Sequence, residues 1–449
     1  MIILWTDALI LLLLFSSIGI GFYLHDKEHI QRPLNKIVRS KVGMVSLVVL
    51  VFFLLIGLLD SIHFKSNQEN SSEIISLLDY CATPLREHNE KTYSAPFATT
   101  LYSKEMVEKD GSMQWDYPRQ VYGGKHLDDP EKQQVSDIML KAGIGFLQGL
   151  ALFTAFLLLS AGVSYLKHSS APQFFTMRPV MVTLFIIIVL STISGYLSLY
   201  YHVLGTDKVG EDVFYQAIKS IRTGLVIGTL TTLIMLPMAI LFGILAGFFR
   251  GWVDDVIQYM YTTLNSIPGV LLIAASVLMV QVYMANHEAE FTSLIVRADM
   301  RLLFLCMILG VTSWTGLCRL LRAETLKLRE MEYVQAAYAL GVKQHTILLR
   351  HILPNVMHIV LISVVLDFSS LVLAEAVLSY INIGVDPTTY SWGNMINGAR
   401  LEMAREPIVW WSLSAAFVFM FALVLAANLF ADVVQDAFDP RSMTNEASE

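Results

Sequence analysis

The stretch EYVQAAYALGVKQHTILLRHILPN occupies residues 332–355 and lies between two long apolar runs of the chain. It is polar and rich in helix-forming residues, which is unusual for a connection between two membrane spans. Gly341 is a residue type that ends a helix at positive φ without a Cβ penalty, and Pro354 suits a helix's first turn because it lacks an N–H. The stretch therefore predicts two short helices joined at Gly341, held between membrane helices as a docking element.

The first of these two helices has an apolar part and a small-residue part. Met331, Val334 and Tyr338 have i, i+3, i+7 spacing, which places them on one helix face. Ala336 and Ala337 keep another part of the surface small. A partner's backbone or side chains can approach such a surface closely, as docking requires.

The composition is that of a membrane protein. Of the 449 residues, 55% are hydrophobic and 15% are charged, and the mean hydropathy is +0.57. Nothing in the sequence indicates nucleic-acid binding. Apolar segments long enough to span a bilayer, at about 20 residues each, lie at roughly 2–24, 43–62, 142–166, 179–201, 221–249, 265–284, 302–321, 355–378 and 408–431. The sequence therefore predicts an all-α polytopic membrane protein with about nine transmembrane helices.

Lysine and arginine residues in the short connections predict the orientation. They are concentrated in residues 25–42 and 319–351, so both connections are expected in the cytoplasm. This puts the N-terminus outside and the acidic C-terminus inside. The first apolar segment is either a retained helix or a signal peptide. The lack of a basic region before it and of a small-residue cleavage site favours a retained helix.

Residues 65–141 are predicted as a polar connection on the outer face, with scattered aromatic residues but few aliphatic clusters. This connection is either a solvated, partly ordered cap or a docking surface for a binding protein. Residues 142–201 are predicted as an added pair of helices that returns the chain to the same face.

The string LGTDKVGEDV at 204–213 predicts an elbow before the next span. Gly205 and Gly210 permit turns, while Asp207 and Asp212 can accept hydrogen bonds from nearby backbone N–H groups.

Several of these strings resemble the permeases of ABC importers, in the dipeptide and oligopeptide branch. The stretch at 332–355 resembles the family's EAA loop, and the matching positions are Gln335, Ala336, Ala337, Gly341, His351, Leu353 and Pro354. Gln335 replaces a Glu of the family pattern, and His351 replaces an apolar residue. The elbow is also similar, with Glu211 where Arg is common. Further similar strings are GFFRGWVDD at 247–255, NSIP at 265–268 and DAFDPR at 436–441.

The resemblance covers residues 43–64 and 204–441, and it implies that six of the helices follow the type I ABC-importer permease arrangement. Residues 1–25 and 65–201 have no counterpart in the resemblance, and their assignment rests on hydropathy and composition alone. The expected organisation is an extra helix and cytoplasmic loop at 1–42, a first core helix at 43–64, the outer loop at 65–141, an inserted helix pair at 142–201, a permease core at 202–441 with a coupling loop at 323–353, and a cytoplasmic tail at 442–449.

The resemblance further implies a multi-pass protein of the bacterial inner membrane that pairs with a second, related permease. Two cytoplasmic ATPases would bind ATP and Mg²⁺, so no cofactor is expected in this chain. An extracytoplasmic substrate-binding protein would deliver the cargo. The matched strings are those of the dipeptide and oligopeptide branch, so peptides are expected, and the alternative is another small ligand such as nickel. The residues expected to dock an ATPase are Glu332, Gln335, Ala336, Ala337, Gly341, Leu353 and Pro354.

The sequence contains no catalytic or metal-binding motif. It has no P-loop, HExxH or GxSxG string, and its three cysteines are too far apart to suggest a disulfide framework. Asp367 and Glu375 are charged residues within a predicted span, about 80° apart around a helix. They are candidates for the translocation path or, alternatively, for a hydrogen-bonded pairing site between helices.

Two other functions stay open from the sequence. A secondary transporter would use an ion gradient through Asp367 and Glu375, and would leave the loop at 332–355 unexplained. A membrane scaffold or receptor would be built around the outer loop at 65–141.

Overall fold

The computed structural model describes residues 4–24, 28–65, 74–109, 112–166, 178–287 and 293–438. Its helices are, in the first half, α1 (Trp5–Leu24), α2 (Glu28–Arg39), α3 (Lys41–Asp60), α4 (Leu77–Cys81), α5 (Thr83–Glu87), α6 (Pro130–Leu166) and α7 (Arg178–Leu197). They continue with α8 (Val213–Phe249), α9 (Trp252–Ser266), α10 (Gly269–Asn286), α11 (Leu294–Ser313), α12 (Thr315–Arg329), α13 (Glu332–Ala339), α14 (Gln344–Ile347), α15 (Leu353–Tyr380), α16 (Trp392–Glu402) and α17 (Trp411–Phe438). Antiparallel ribbons pair β1 (His63–Lys65) with β2 (Ile74–Ser76) and β3 (Glu105–Lys109) with β4 (Ser112–Asp116).

Seven helical stretches among the described residues are long and apolar enough to cross a membrane. They are α3, α6, α7, α8, α10, the continuous helix 344–380 and α17. This confirms the prediction of an all-α polytopic membrane protein. The predicted segment 2–24 corresponds to α1, whose apolar part is shorter. Residues 439–441 of the predicted C-terminal motif and the tail at 442–449 lie outside the described residues.

Two predicted boundaries differ from the structure. The span expected over 302–321 is divided, because α11 and α12 are separate helices on either side of Trp314. Trp314 is fully buried, with its ring 5.0 Å from that of Phe242, so tertiary packing fixes this break. The inserted pair begins earlier than expected, since α6 starts at Pro130, a residue favoured in a first turn.

The chain divides into two compact units. Among the described residues, the first unit comprises those within 37–223 and 390–426, and the second comprises those within 4–36, 224–389 and 427–438.

In the first unit, α6 and α7 form a tightly packed helical hairpin. A Cβ atom built on Gly145 would lie 2.8 Å from the Cα of Ile193, and one built on Gly149 would lie 3.0 Å from the Cα of Val189. Small residues four apart allow two backbones to approach this closely, as in membrane helix pairs generally. The hairpin is held to α3, because Val180 of α7 packs in one core cluster with residues of α3.

The elbow at 204–213 has the geometry that its sequence predicts. Gly205 and Gly210 have φ of +71° and +81°. Asp207 Oδ1 accepts hydrogen bonds from two backbone N–H groups within the elbow, and Asp212 Oδ1 accepts two from the first turn of α8, at 2.8–3.1 Å. The predicted turning and capping roles are therefore confirmed.

A buried charge cluster fastens the elbow to the outer loop. The Glu90 carboxylate accepts hydrogen bonds from the backbone N–H groups of residues 121–123 at 2.8–3.1 Å. His202 Nδ1 is 2.7 Å from Asp212 Oδ2, and its Nε2 is 3.6 Å from Glu90 Oε1. Burial opposes a charge on His202, but hydrogen bonding to Asp212 and attraction to both carboxylates outweigh it and raise its pKa to about 9. Burial also opposes the charge on Glu90, yet its hydrogen bonds lower its pKa to about 2.

The outer loop is also bonded to the segment between α16 and α17. Tyr93 donates its hydroxyl to Glu402 at 3.1 Å, and Tyr102 donates to the carbonyl of Ile408 at 3.2 Å. The elbow is bonded to the start of α17 in the same region, since the indole of Trp411 donates to the carbonyl of Thr206 at 2.9 Å. In its described parts, the loop is thus an integral piece of the first unit.

In the second unit, α11 provides the cap of α1. The Asp299 carboxylate accepts hydrogen bonds from the backbone N–H groups of Trp5 and Thr6, at 3.0 and 3.3 Å, and from the Thr6 hydroxyl. A carboxylate at a helix N-terminus satisfies N–H groups that have no partner inside the helix. The first turn of α1 therefore lies beside the first turns of α11.

We expect Gly145→Val to destabilise the α6–α7 hairpin, because the new side chain must displace the backbone of α7. Overpacking of this kind typically costs about 1–3 kcal/mol. The measurement is thermal stability of the detergent-purified protein. Gly143→Val on the same helix is the matched control, since nothing lies within 4 Å of a Cβ atom there. Equal melting temperatures for the two variants would contradict the close packing.

The His202 cluster predicts a pH dependence of stability. The folded-state pKa of His202, about 9, lies above its ordinary value of 6.5, so its contribution is complete below pH 6.5 and is lost as the pH rises through 9. The melting temperature of the wild type should therefore fall between these values. His202→Gln should start lower and flatten the profile, while His287→Gln, which changes an exposed histidine, should not. A wild-type profile that rises over this interval would exclude a charged His202.

Candidate coupling site

The bend that the sequence predicts at Gly341 is present. Gly341 has φ of +75° and follows the end of α13. Its N–H donates to the carbonyl of Tyr338 at 3.0 Å, and the N–H of Val342 donates to that of Ala337 at 3.1 Å. These two bonds form a Schellman motif, which closes a helix end at a left-handed residue. The orientation of α13 relative to α14 is thus fixed by backbone hydrogen bonds.

The core covers only part of the face that Met331, Val334 and Tyr338 share. Val334 is 1% exposed, but Met331 and Tyr338 are 45% and 54% exposed. The residue that shares the buried face with Val334 is Ala337, at i+3, which is 8% exposed. The predicted small surface is therefore divided, with Ala336 exposed and Ala337 packed in the core. The spacing i, i+3, i+7 identified a helix but not which side the core would cover.

Most of the other predicted docking residues are accessible. Glu332, Gln335, Gly341 and Pro354 are exposed, and Leu353 is half-buried. Gln335 donates its side-chain amide to the carbonyl of Arg329 at 3.0 Å, at the end of α12. A glutamate carboxylate cannot make this bond, so the departure from the family pattern has a local structural use.

The second predicted short helix is not separate from the next span. α14 continues through the π turn at 348–352 into α15, which gives one continuous helix over 344–380. Pro354 lies in the first turn of α15, as expected. No pattern in the sequence predicts the π turn itself.

The helix that leads into α13 packs closely on α8. Cβ atoms built on Gly243 and Gly247 would lie 2.9 Å from the carbonyl oxygen of Cys318 and 2.8 Å from that of Arg322, both in α12. The two backbones are therefore in near contact over this stretch. These glycines are four residues apart, as are Gly145 and Gly149. Glycines with this spacing indicate close helix packing.

Charged residues of the predicted hairpin at 247–255 hold α12 in place. Arg322 donates two hydrogen bonds to Asp254, at 2.6 and 2.7 Å. This pairing lowers the pKa of Asp254. Arg250 pairs with Glu330 at 2.6 Å, and Arg329 donates to the carbonyl of Phe248 at 2.7 Å. Bidentate arginine–carboxylate pairs are geometrically specific, so α12 is held both along its axis and around it.

The two candidate path residues have different surroundings. Glu375 is 2% exposed and accepts a hydrogen bond from the Ser379 hydroxyl at 2.6 Å. Asp367 is half-buried, and among the residues that the structure describes no side chain is bonded to its carboxylate. The structure does not bring them together, and they lie along α15, away from the predicted docking residues.

Sequence reasoning missed one buried charge near a membrane helix. Lys219 of α8 is 2.6 Å from Asp60 and 2.8 Å from Asp79, and Tyr215 donates its hydroxyl to Asp79 at 2.7 Å. The available signal was a lysine two residues before the predicted span 221–249, with acidic residues near the ends of neighbouring segments.

Comparison with known proteins identifies the family. Residues 239–444 match the family described as binding-protein-dependent transport system inner membrane component. The chain is 31% identical over 240 residues to the glutathione transport system permease protein GsiD of Pectobacterium atrosepticum, covering 54% of this chain and 73% of that protein. It is 30% identical over 241 residues to the oligopeptide transport system permease protein OppC of Mycobacterium tuberculosis, covering 54% and 76%. A third relative is the dipeptide transport system permease protein DppC of Lactococcus lactis, at 30% identity over 241 residues, covering 54% and 64%.

The matched range contains α13, the bend at Gly341 and the helices that support them. The chain therefore belongs to the family of binding-protein-dependent transport system inner membrane components, as a permease of the ABC peptide-importer type.

Proposed function

We propose that this chain couples ATP hydrolysis by partner subunits to the import of peptides. The observation that carries the proposal is a short helix, α13, whose outer side is accessible while Val334 and Ala337 anchor its inner side in the core. We define the docking surface as the exposed residues Glu332, Gln335, Ala336 and Gly341. Pro354 and the half-buried Leu353 lie beside the π turn that follows α14.

The partners follow from this assignment. A cytoplasmic ATPase binds the docking surface, and a second, related permease pairs with this chain and binds a second ATPase. ATP and Mg²⁺ are held by those subunits. An extracytoplasmic binding protein delivers the cargo.

Movement of a docked ATPase reaches the membrane helices by two routes. One is α12, which is in backbone contact with α8 at Gly243 and Gly247 and paired through Arg322 with Asp254. The other is the continuous helix 344–380. Thermodynamically, ATP binding favours one of two conformations by its differential affinity for them.

The proposed cargo is a di- or oligopeptide. The relatives' names refer to glutathione, dipeptide and oligopeptide transport. Of the two acidic candidates for the path, Asp367 is the better one, because Glu375 is buried and bonded to Ser379. An unpaired carboxylate within a span is costly, so it is typically placed toward an aqueous path or a partner.

We also propose that the N-terminus lies outside and the docking surface lies in the cytoplasm. Arg301 of α11 pairs with Asp386, which follows α15, so the start of α11 lies near the far end of that helix. The 28 residues of α15 separate the two ends by about 42 Å. α1 begins beside α11, at the end away from the docking surface.

The composition of the complex is the first test. We expect the tagged protein, purified gently from its native membrane, to carry a second permease and at least one ATPase detectable by mass spectrometry. A chain that purifies alone, or with unrelated proteins, would count against the coupling role and favour a secondary transporter or a scaffold.

A charge on the docking surface should disrupt ATPase binding. Gly341→Asp places a carboxylate where the interface would desolvate it, and we expect ATPase retention to fall by about ten-fold, equivalent to about 1.4 kcal/mol. Gly341→Asn is the matched control, because it has the same size, also tolerates positive φ and carries no charge. Both variants should insert normally. Normal ATPase retention and normal uptake in the Asp variant would refute the docking role of this position.

A further inference from the structure

The π turn at 348–352 is the one irregular step in the helix that connects the docking segment to the membrane. The N–H of Leu353 donates to the carbonyl of Leu348, five residues earlier. Such a turn holds one more residue than an α-helical turn, and turns of this kind are frequent at functional sites.

The spacing of buried residues explains why the extra residue is there. Ile347, Ile352, Val356 and Val360 are all buried in one core cluster. The first two are five residues apart and the others follow at four. In a regular α-helix, five residues at about 100° each would leave Ile347 and Ile352 about 140° apart. The π turn brings both onto the core side.

Pro354 makes the same region poor in backbone hydrogen bonds. It has no N–H to donate to a carbonyl of the preceding turn. Asn355 donates its side-chain amide to the carbonyl of His351 at 2.6 Å. Part of the hydrogen bonding at this point therefore comes from a side chain.

Side chains of α13 are bonded to both sides of the π turn. Gln344, before it, donates to the hydroxyl of Tyr338 at 3.1 Å. Asn355, after it, donates to the hydroxyl of Tyr333 at 3.2 Å. Because Asn355 also bonds the π turn at His351, it links the docking helix to the start of α15.

The bend at Gly341 is a less suitable place for movement. It is closed by two backbone hydrogen bonds and by the Tyr338–Gln344 bond. The side-chain hydrogen bonds at the two places, Tyr338–Gln344 and Tyr333–Asn355, are both exposed, so the difference between the two places is in the backbone. The π turn is closed by the backbone bond from Leu353 to Leu348, and Pro354 adds none, so a change of backbone angles disrupts fewer backbone hydrogen bonds there than at the bend.

We propose that the π turn is the joint at which the docking segment 332–347 turns relative to α15, and that Tyr333–Asn355 is a positioning contact that holds this joint in the orientation of the present structure. The proposal rests on the proposed function, since a docked ATPase drives the movement. It adds the place where the movement occurs and the contact that resists it.

The test uses the purified complex with its ATPases, so that a preparation without ATPase refutes the proposed function before the joint is examined. Spin labels are attached to cysteines at Ala339 and Leu361, both exposed. Cys81 is replaced by Ser, because it is the exposed cysteine, whereas Cys306 and Cys318 are buried. The distance between the labels is measured by pulsed electron paramagnetic resonance with and without ATP–Mg²⁺ and vanadate.

Deletion of Leu349 combined with Pro354→Ala converts the joint into a regular helix, while Ile347 and Ile352 become four residues apart and stay on the core side. Pro354→Ala alone is the control that keeps the extra residue. We expect ATP to shift the mean distance by about 2 Å or more in the wild type and the control, and not in the deletion variant. An equal shift in the deletion variant, or no shift in the wild type, would contradict the proposal that the π turn is the joint.

If the deletion variant does not assemble, the proposal is tested by removing single tyrosine hydroxyl groups of α13. Tyr333→Phe should move the ATP-free distance distribution toward the ATP-bound one, because it releases the contact across the joint. Tyr338→Phe removes a comparable bond on the near side and should leave the distribution unchanged. Equal effects of the two substitutions, or none from Tyr333→Phe, would also overturn the proposal.

Discussion

The near contact of α8 and α12 at Gly243 and Gly247 is the constraint on which the docking surface depends. A side chain at either position would collide with carbonyl oxygens of α12, so the two backbones can be this close only because both residues are glycine. Since α12 runs directly into α13, the position of the docking helix is determined by α8. The bidentate Arg322–Asp254 pair then prevents α12 from rotating on this contact. α13 is therefore connected to the membrane helices through a helix whose position and rotation are both held by contacts, and not through a flexible loop.

The first unit is organised by buried charges. Glu90, His202 and Asp212 form one cluster, and Lys219 with Asp60 and Asp79 forms another. Removing one member of such a set leaves an uncompensated charge in a low-dielectric site, which costs about 3–5 kcal/mol. Both sets join residues of the outer loop to the helices and elbow of the recognisable permease core. In its described parts, the loop is thus an integral part of this unit.

Local backbone conformation was predictable from the sequence, whereas the side of a helix that the core covers and the positions of helix breaks were not. Gly205, Gly210 and Gly341 adopt the positive φ expected of them, because that preference belongs to the residue itself. The burial of Ala337 in place of Tyr338 depends on which helix lies behind α13, and a single helical period does not contain that information. The division at Trp314 and the π turn at 348–352 likewise result from packing against other elements. The paired glycines at 145/149 and 243/247 were a usable signal, since spacing of four marks close helix contact.

The departures from the family pattern can be explained by hydrogen-bonding chemistry. Gln335, where the pattern has Glu, uses its amide N–H to bond the carbonyl of Arg329, a donation that a carboxylate cannot make. Glu211, where Arg is common, accepts hydrogen bonds from Gln216 and Tyr390 at 3.2 and 3.4 Å. Burial and the nearby Asp207 raise the pKa of Glu211. At each position, the new side chain has a complementary partner. The donor of Gln335 faces a carbonyl acceptor, and the acceptor of Glu211 faces two donors. A changed residue in a motif is therefore weak grounds for doubting the motif when the surrounding groups supply the complementary partner.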